Sequence, residues 1–162
     1  MTNREFAQRW AQTRTSDLTA HVALYAPDKT FVVEIGKVDD HMEDSINDRT
    51  ELARRLAYYS NADADSGKGV HTITVIDVFE GDGHIFIHWD YAIEHLTSFH
   101  GVAADGKTLS TVGSTFLEFD PEGRIVQEAT IINEAAVSRQ LGLPIITPHY
   151  WEEGFDFASL AG

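Results

Sequence analysis

The chain has 162 residues, 43% of them hydrophobic and 10% aromatic, with no cysteine and a formal net charge of −14. This length fits one domain with a buried core, and the charge disfavours nucleic acid and anionic membrane surfaces as partners. The missing thiols exclude disulfides and cysteine nucleophiles, and the lack of an apolar membrane span or a visible secretory signal favours a cytoplasmic protein.

The first third of the chain is predicted to be mainly helical. Apolar residues partly follow a 3.6-residue period from Asn3 to Ala26, and Asp17 is a candidate break that caps a second helix. A β-rich run follows from Thr30 to Ile35. Asp48 or Thr50 can cap another helix that continues to Tyr59.

Four strands are predicted in the remainder, at Val70–Phe79, His84–Leu96, Leu109–Phe119 and Ile125–Ile132, with turn signals between them. A glycine inside the third strand, Gly113, marks a bulge or a close packing contact. Helices followed by an antiparallel meander predict an α+β fold, with a curved sheet wrapped around the N-terminal helices. The aromatic tail, residues 144–162, is predicted to dock on the domain or on a partner subunit, because free tails are normally polar.

Two stretches resemble sequences of the NTF2-like, or SnoaL-like, superfamily of α+β cone folds. One runs from Asp17-Leu18 to Leu24-Tyr25-Ala26-Pro27-Asp28, and the other from Glu122-Gly123-Arg124-Ile125-Val126 to Arg139-Gln140-Leu141-Gly142. The superfamily includes polyketide cyclases, limonene epoxide hydrolase and scytalone dehydratase relatives. The resemblance implies one cone-shaped domain over residues 1–162, a hydrophobic pocket and a homodimer formed through the sheet.

The sequence departs from this superfamily at two positions of the last strand. Related cyclases and epoxide hydrolases place a catalytic Asp where this chain has Thr130, and a second, often acidic position falls on Asn133. Neither side chain can act as a general base near neutral pH. Both are therefore expected to position oxygen atoms of a bound molecule.

The second strand of the meander carries the richest set of ionisable residues. Its period of two places His88 and Asp90 on one face, and Trp89 and Tyr91 on the other. The polar face can be exposed, with Trp89 and Tyr91 in the core, or it can line the interior of the cone. In the second case His88-x-Asp90 resembles the Arg-x-Asp pair of epoxide-hydrolase-like members, and Asp90 would orient His88 for proton transfer.

Two other histidines, His71 and His95, are similar in spacing to the pair of pocket histidines in scytalone-dehydratase-like members. The resemblance implies that either of them polarises a carbonyl or assists a leaving group. Several aromatic side chains can belong to the core or to a pocket wall; they are Trp10, Tyr25, Tyr59 and Phe116.

A metal site is also weighed, because His88, Asp90 and His149 superficially match an iron-binding set of two histidines and one carboxylate. Such a set is usually held by a jelly-roll sheet, which the helix-first order does not indicate, so no metal or cofactor is predicted. The leading hypothesis is a cofactor-independent acid–base enzyme, a lyase, isomerase or epoxide hydrolase. Its substrate would be a small hydrophobic oxygenated molecule of secondary metabolism that is cyclised, dehydrated, isomerised or opened at an epoxide. A non-catalytic small-molecule-binding protein and a His/Asp metal-dependent enzyme remain the alternatives.

Overall fold

The computed structural model describes residues 1–36, 45–99 and 101–143. The predicted docking of the tail and the candidate ligand His149 lie outside the described residues.

Four helices begin at side chains that cap their first turn. They are α1 (Asn3–Ser16), α2 (Leu18–Val22), α3 (Arg49–Leu56) and α4 (Glu134–Gln140). Asp17 ends α1 and also caps α2, because its side chain accepts a hydrogen bond from the backbone N–H of Ala20 at 2.9 Å. The predicted break at this residue is confirmed. A 3-10 turn, Ala57–Tyr59, follows α3 directly in the chain.

The main sheet has the strand order β1-β7-β6-β3-β2. Its strands are β1 (Val32–Gly36), β2 (Lys68–Gly81), β3 (His84–Leu96), β6 (Leu109–Phe119) and β7 (Ile125–Ile132). A separate small hairpin pairs β4 (Ser98–Phe99) with β5 (Val102–Ala103). The last four strands of the main sheet form the predicted antiparallel meander, and their predicted positions are confirmed.

One strand makes the sheet mixed rather than wholly antiparallel. β1 pairs with β7 in parallel, with Val32 opposite Gln127 and Ile35 opposite Thr130. The antiparallel expectation rested on hairpin turns between successive strands, and no such turn joins β1 to β7. A parallel pair needs a long connection, which here runs through α3, the other three strands of the main sheet and the small hairpin.

The helices cover one face of this sheet, called the inner face here, and the opposite face is called the outer face. In α1 the residues at helical spacing, Phe6 and Trp10, are buried against the sheet. Along β3 the side chains alternate between buried and exposed positions, so that Ile87, Trp89 and Tyr91 face the helices. This one-sided burial sets which strand residues can reach an internal site.

Candidate functional site

A small cavity lies between α1 and the inner face of the sheet. Its volume is about 50 Å³. Ile35 in the lining is 36% exposed, so the cavity opens to solvent and a ligand with one ring would lie partly inside it. The lining residues are Arg14, Ile35, Tyr59, Ile73, Trp89, Tyr91, Thr130 and Ile132.

Beneath the residues that line the cavity lies a buried carboxylate, Glu128, which is 0% exposed. It accepts hydrogen bonds from Trp10 Nε1 at 3.0 Å, Arg14 Nη1 at 2.8 Å and the Tyr25 hydroxyl at 2.5 Å. Thr130 Oγ1 donates to it at 2.9 Å. A buried charge needs such partners, because transfer of an unpaired carboxylate out of water is costly.

Charge within this cluster is set mainly by the ion pair of Glu128 and Arg14. Burial alone would raise the pKa of Glu128, but the Arg14 charge and the hydrogen bonds from its neighbours lower it, so the carboxyl is ionised. Burial opposes the charge of Arg14, and the facing carboxylate nevertheless raises its pKa. Glu128 is therefore a structural anion rather than a free general base.

The cluster extends to a buried histidine beneath α1. His21 hydrogen-bonds to Thr13 Oγ1 through Nδ1 at 3.1 Å and to the Tyr25 hydroxyl through Nε2 at 3.2 Å. Burial, and then the charge of Arg14, lower the pKa of His21 to about 3. Burial also raises the pKa of Tyr25 well above its ordinary value. Both groups are thus neutral near pH 7 and support the ion pair without adding charge.

A second polar pair joins Tyr91, a residue of the cavity wall, to His71 behind it. His71 Nδ1 hydrogen-bonds to the hydroxyl of Tyr91, and the rings of Tyr58 and Tyr59 contact the His71 ring edge to face at 5.4 and 5.6 Å between centroids. Burial lowers the pKa of His71 and raises the pKa of Tyr91. His71 Nε2 is buried without a hydrogen-bond partner in the described part of the chain. This couple can hand a proton to, or take one from, an oxygen atom in the cavity.

The part of the wall formed by Trp89 depends on a glycine. Trp89 faces Gly113 across the β3–β6 ladder, and a Cβ atom at Gly113 would lie 2.1 Å from Trp89 Cη2. Of the two alternatives predicted for this glycine, a bulge or a close packing contact, the structure has the second. The Trp89 indole donates to Thr115 Oγ1 at 3.0 Å, and that hydroxyl lies 2.9 Å from Thr130 Oγ1. The indole is therefore held by a chain of hydrogen bonds that reaches Glu128.

His88 and Asp90 lie on the outer face. Asp90 is exposed, and His88 is half-buried with a single long contact to Ser114 Oγ at 3.4 Å. The interpretation that put this pair in the interior of the cone is corrected by the alternation of β3, which buries Trp89 and Tyr91 instead. Phe116 also faces outward, against His84 at 5.4 Å between ring centroids. None of these three predicted site residues reaches the cavity.

Two further candidates lie at the ends of strands. His95 is exposed at a backbone φ of 57°, whereas His71 is buried, so the structure does not bring the two histidines into one pocket. Asn133 is exposed and caps α4 by accepting from the N–H of Ala136 at 3.3 Å. The structure does bring four predicted residues to the cavity or to the buried Glu128 beneath it, namely Thr130, Tyr59, Tyr25 and Trp10.

Sequence reasoning missed the three residues that define the polar character of the site, Arg14, Glu128 and Tyr91. A signal existed for two of them. Arg14 follows Trp10 by four residues and so shares its helix face, and Glu128 precedes Thr130 by two and so shares its strand face. No local pattern showed that these two would meet, because 114 positions separate them.

Within the described ranges, no three His, Asp or Glu side chains lie close enough together to hold a metal ion. The same ranges contain no helix with the length and apolar character needed to cross a membrane.

No protein-family model matches the chain, and no curated protein matches it significantly. Several solved structures match the chain over most of its length. A protein from Catenulispora acidiphila with a ketosteroid isomerase-like fold, in complex with trimethylamine, is 19% identical at a TM-score of 0.65, over 88% of this chain and 96% of that one. IdmH from Streptomyces antibioticus, a candidate polyketide cyclase, is 20% identical at a TM-score of 0.68, over 88% of this chain and 100% of that one.

A third similar structure is a candidate SnoaL-like polyketide cyclase from Shewanella denitrificans. It is 16% identical at a TM-score of 0.65, over 86% of this chain and 96% of that one. These likenesses extend over most of each chain. The protein therefore has the NTF2-like α+β fold that the resemblance predicted. A shared fold of this kind hosts many activities, so the fold alone does not define the activity of this chain.

Proposed function

We propose that the protein is a cofactor-independent acid–base enzyme that acts on a small, hydrophobic, oxygenated molecule in the inner cavity. The observation that carries this proposal is the hydrogen bond between His71 Nδ1 and the hydroxyl of Tyr91, which is a wall residue of that cavity. The rest of the lining is mostly apolar, as expected for a site that binds a small hydrophobic molecule.

The proton chemistry follows from the neutral forms of the couple. Because burial lowers the pKa of His71 and raises that of Tyr91, the pair enters the reaction as imidazole and phenol. With the proton on Nδ1, His71 donates to the Tyr91 oxygen and leaves the phenolic O–H free for an oxygen of the substrate. As the substrate takes this proton, the His71 N–H stabilises the phenolate. The phenolate then recovers a proton from a substrate carbon or from water.

This cycle fits all four reaction types expected of the site. Cyclisation by an aldol step, dehydration and epoxide opening each add a proton to an oxygen and remove one from a carbon or from water. Isomerisation through an enol makes the same two transfers and then reverses them, with the proton returned to a different carbon. Tyr91 can perform both transfers in turn, which restores the starting enzyme. Glu128 is unsuited to this role because four donors surround it and its pKa is lowered.

Three small probes test the proposal in one NMR assay. The aldol adduct of acetone and benzaldehyde reports dehydration, styrene oxide reports epoxide opening, and phenylacetone in heavy water reports exchange at the α-carbon. The wild-type protein is expected to accelerate at least one reaction above the buffer rate. Tyr91→Phe should then reduce that rate by roughly 10²- to 10⁴-fold, the usual contribution of a positioned acid or base.

His88→Ala is the matched control, since His88 lies on the same strand as Tyr91 but on the outer face. It should leave the accelerated rate unchanged. Acceleration of none of the three probes would contradict the proposal and favour a binding protein without catalysis. An unchanged rate in Tyr91→Phe would remove this couple from the mechanism.

We also propose that a second copy of the chain covers the outer face of the sheet. Large apolar side chains are exposed there, among them Phe79 at 61%, Phe86 at 42%, Val112 at 41% and Ile131 at 66%. Several large apolar side chains exposed on one face of a sheet favour an interface there. The acidic and polar residues of the same face, including Asp90 and His88, would then lie in or beside the dimer contact.

A further inference from the structure

The guanidinium of Arg14 has binding capacity that the protein itself does not use. Its side chain is 7% exposed and lines the cavity, and its one hydrogen bond to a described residue joins Nη1 to Glu128 Oε1. A guanidinium carries five N–H donors arranged in a planar fork. The Trp10 ring lies 5.1 Å from Arg14 Cζ and supports the group. The remaining N–H groups are thus available to a molecule in the cavity.

The orientation of the ion pair decides the sign of the charge that a ligand meets. Glu128 is fully buried, accepts from four donors and is not among the lining residues. Arg14 is a lining residue, so of the two partners it is the cation that borders the cavity. In a space with little water this charge acts strongly on a ligand.

The other lining residues define the body of such a ligand. Ile35, Ile73, Ile132 and the indole of Trp89 form apolar walls, and a cavity of about 50 Å³ encloses no more than one ring. Isolated apolar walls would suit a neutral hydrocarbon, but a hydrocarbon would leave the free edge of Arg14 without a partner. Leaving buried charged donors unpaired is unfavourable.

We infer that the cavity takes a small, single-ring carboxylic acid whose carboxylate pairs with the free edge of Arg14. Two parallel N–H to oxygen bonds suit a planar carboxylate and fix the orientation of its ring. The inference rests on the proposed function, since it names the class of substrate for the same site. It would place the rest of the molecule against Trp89 and within reach of Tyr91.

Benzoate and benzamide form the pair of probes, because they share shape and size and differ in charge. Binding is followed by calorimetric titration and by the indole N–H signals of Trp10 and Trp89 in two-dimensional NMR spectra. Benzoate is expected to bind at least about tenfold more tightly than benzamide, the ratio for a hydrogen bond to a charged rather than a neutral group. Arg14→Met should abolish this preference. Arg9→Met, an exposed position of the same helix, should keep it.

Arg14→Met alone leaves Glu128 as an unpaired buried carboxylate and can prevent folding. The double variant Arg14→Met with Glu128→Gln removes both charges and keeps an amide oxygen for Trp10 and Tyr25. It is expected to fold and to bind both probes equally. Equal affinity of the two probes for the wild type, no saturable binding of benzoate, or a preference retained by the double variant would each overturn the inference.

The outcome is separable from that of the acid–base proposal. Tyr91→Phe should lose turnover yet still prefer benzoate over benzamide, because the carboxylate is bound by Arg14. A protein that passes the binding test and fails every turnover test would be a receptor for organic acids. A protein that passes the turnover test and shows no preference would refute the role of Arg14 alone.

Discussion

Replacement of Gly113 by alanine is expected to disturb the cavity wall at one defined contact. The added Cβ would lie 2.1 Å from Cη2 and 2.3 Å from Cζ2 of Trp89. Ordinary contacts begin near 3.4 Å. The indole would therefore have to move by more than one ångström, and it is held at 3.0 Å from Thr115 Oγ1.

The size of the effect follows from two contributions. Overpacking of a tight core costs about 1 to 3 kcal/mol. Loss of the indole hydrogen bond costs about 1 kcal/mol more. Gly113→Ala should thus lower the free energy of unfolding by about 2 to 4 kcal/mol, measured by urea denaturation with tryptophan fluorescence.

A double-mutant cycle gives this reasoning its sharpest test. Trp89→Phe removes the far ring of the indole, so Gly113→Ala should be much less harmful in that background, with a coupling of at least about 1 kcal/mol. Ser114→Ala, the next position on the same strand, should change stability by less than about 0.5 kcal/mol. A cost of Gly113→Ala that stays the same with Phe at position 89 would refute the proposed clash.

Three further predictions concern the buried charges and the outer face. Because the folded pKa of His21 is about 3 against an ordinary 6.5, the unfolded chain takes up the proton first as pH falls. Stability is then lost between these two values, by about 2 kcal/mol from pH 7.5 to 5. Urea unfolding at both pH values should show this loss in the wild type and not in His21→Gln; equal losses in both would exclude His21 as the cause. Glu128→Ala leaves Arg14 as an unpaired buried cation and should lower the free energy of unfolding by about 3 to 5 kcal/mol in the same assay. Glu128→Gln should lower it less, and equal effects of the two variants would mean that the acceptor oxygen is unimportant. Ile131→Asp should convert a dimer to monomers in light scattering, with Glu118→Gln on the same face as the control, and a monomeric wild type would contradict the proposed interface.

The elements of the fold were largely predictable because their signals are local. The strands His84–Leu96, Leu109–Phe119 and Ile125–Ile132 are bounded by turn residues and rich in β-branched side chains, and the structure has them at the predicted bounds. Asp17 caps α2 through a contact with the nearby Ala20, so this cap does not depend on what the helices pack against. The parallel pairing of β1 with β7 had no such signal, because a long connection between two strands does not indicate that they pair.

The candidate site was predictable only in part, and β3 shows why. A period of two separates His88 and Asp90 from Trp89 and Tyr91, but this alternation does not determine which of the two sets faces the interior. The polar set attracted the catalytic interpretation because it carries the ionisable groups. The structure instead brings Tyr91 to His71, a contact between a phenol and an imidazole on neighbouring strands.

The sequence by itself indicated the α+β order of elements, the helix cap at Asp17 and a bulge or close contact at Gly113. These properties depend on neighbours within a few residues or on one ladder. The tertiary structure alone decided which face of the sheet is inside and which charges meet there. Arg14 and Glu128 are 114 positions apart, and only the packing of α1 on the sheet brings their charges to 2.8 Å in a water-poor interior.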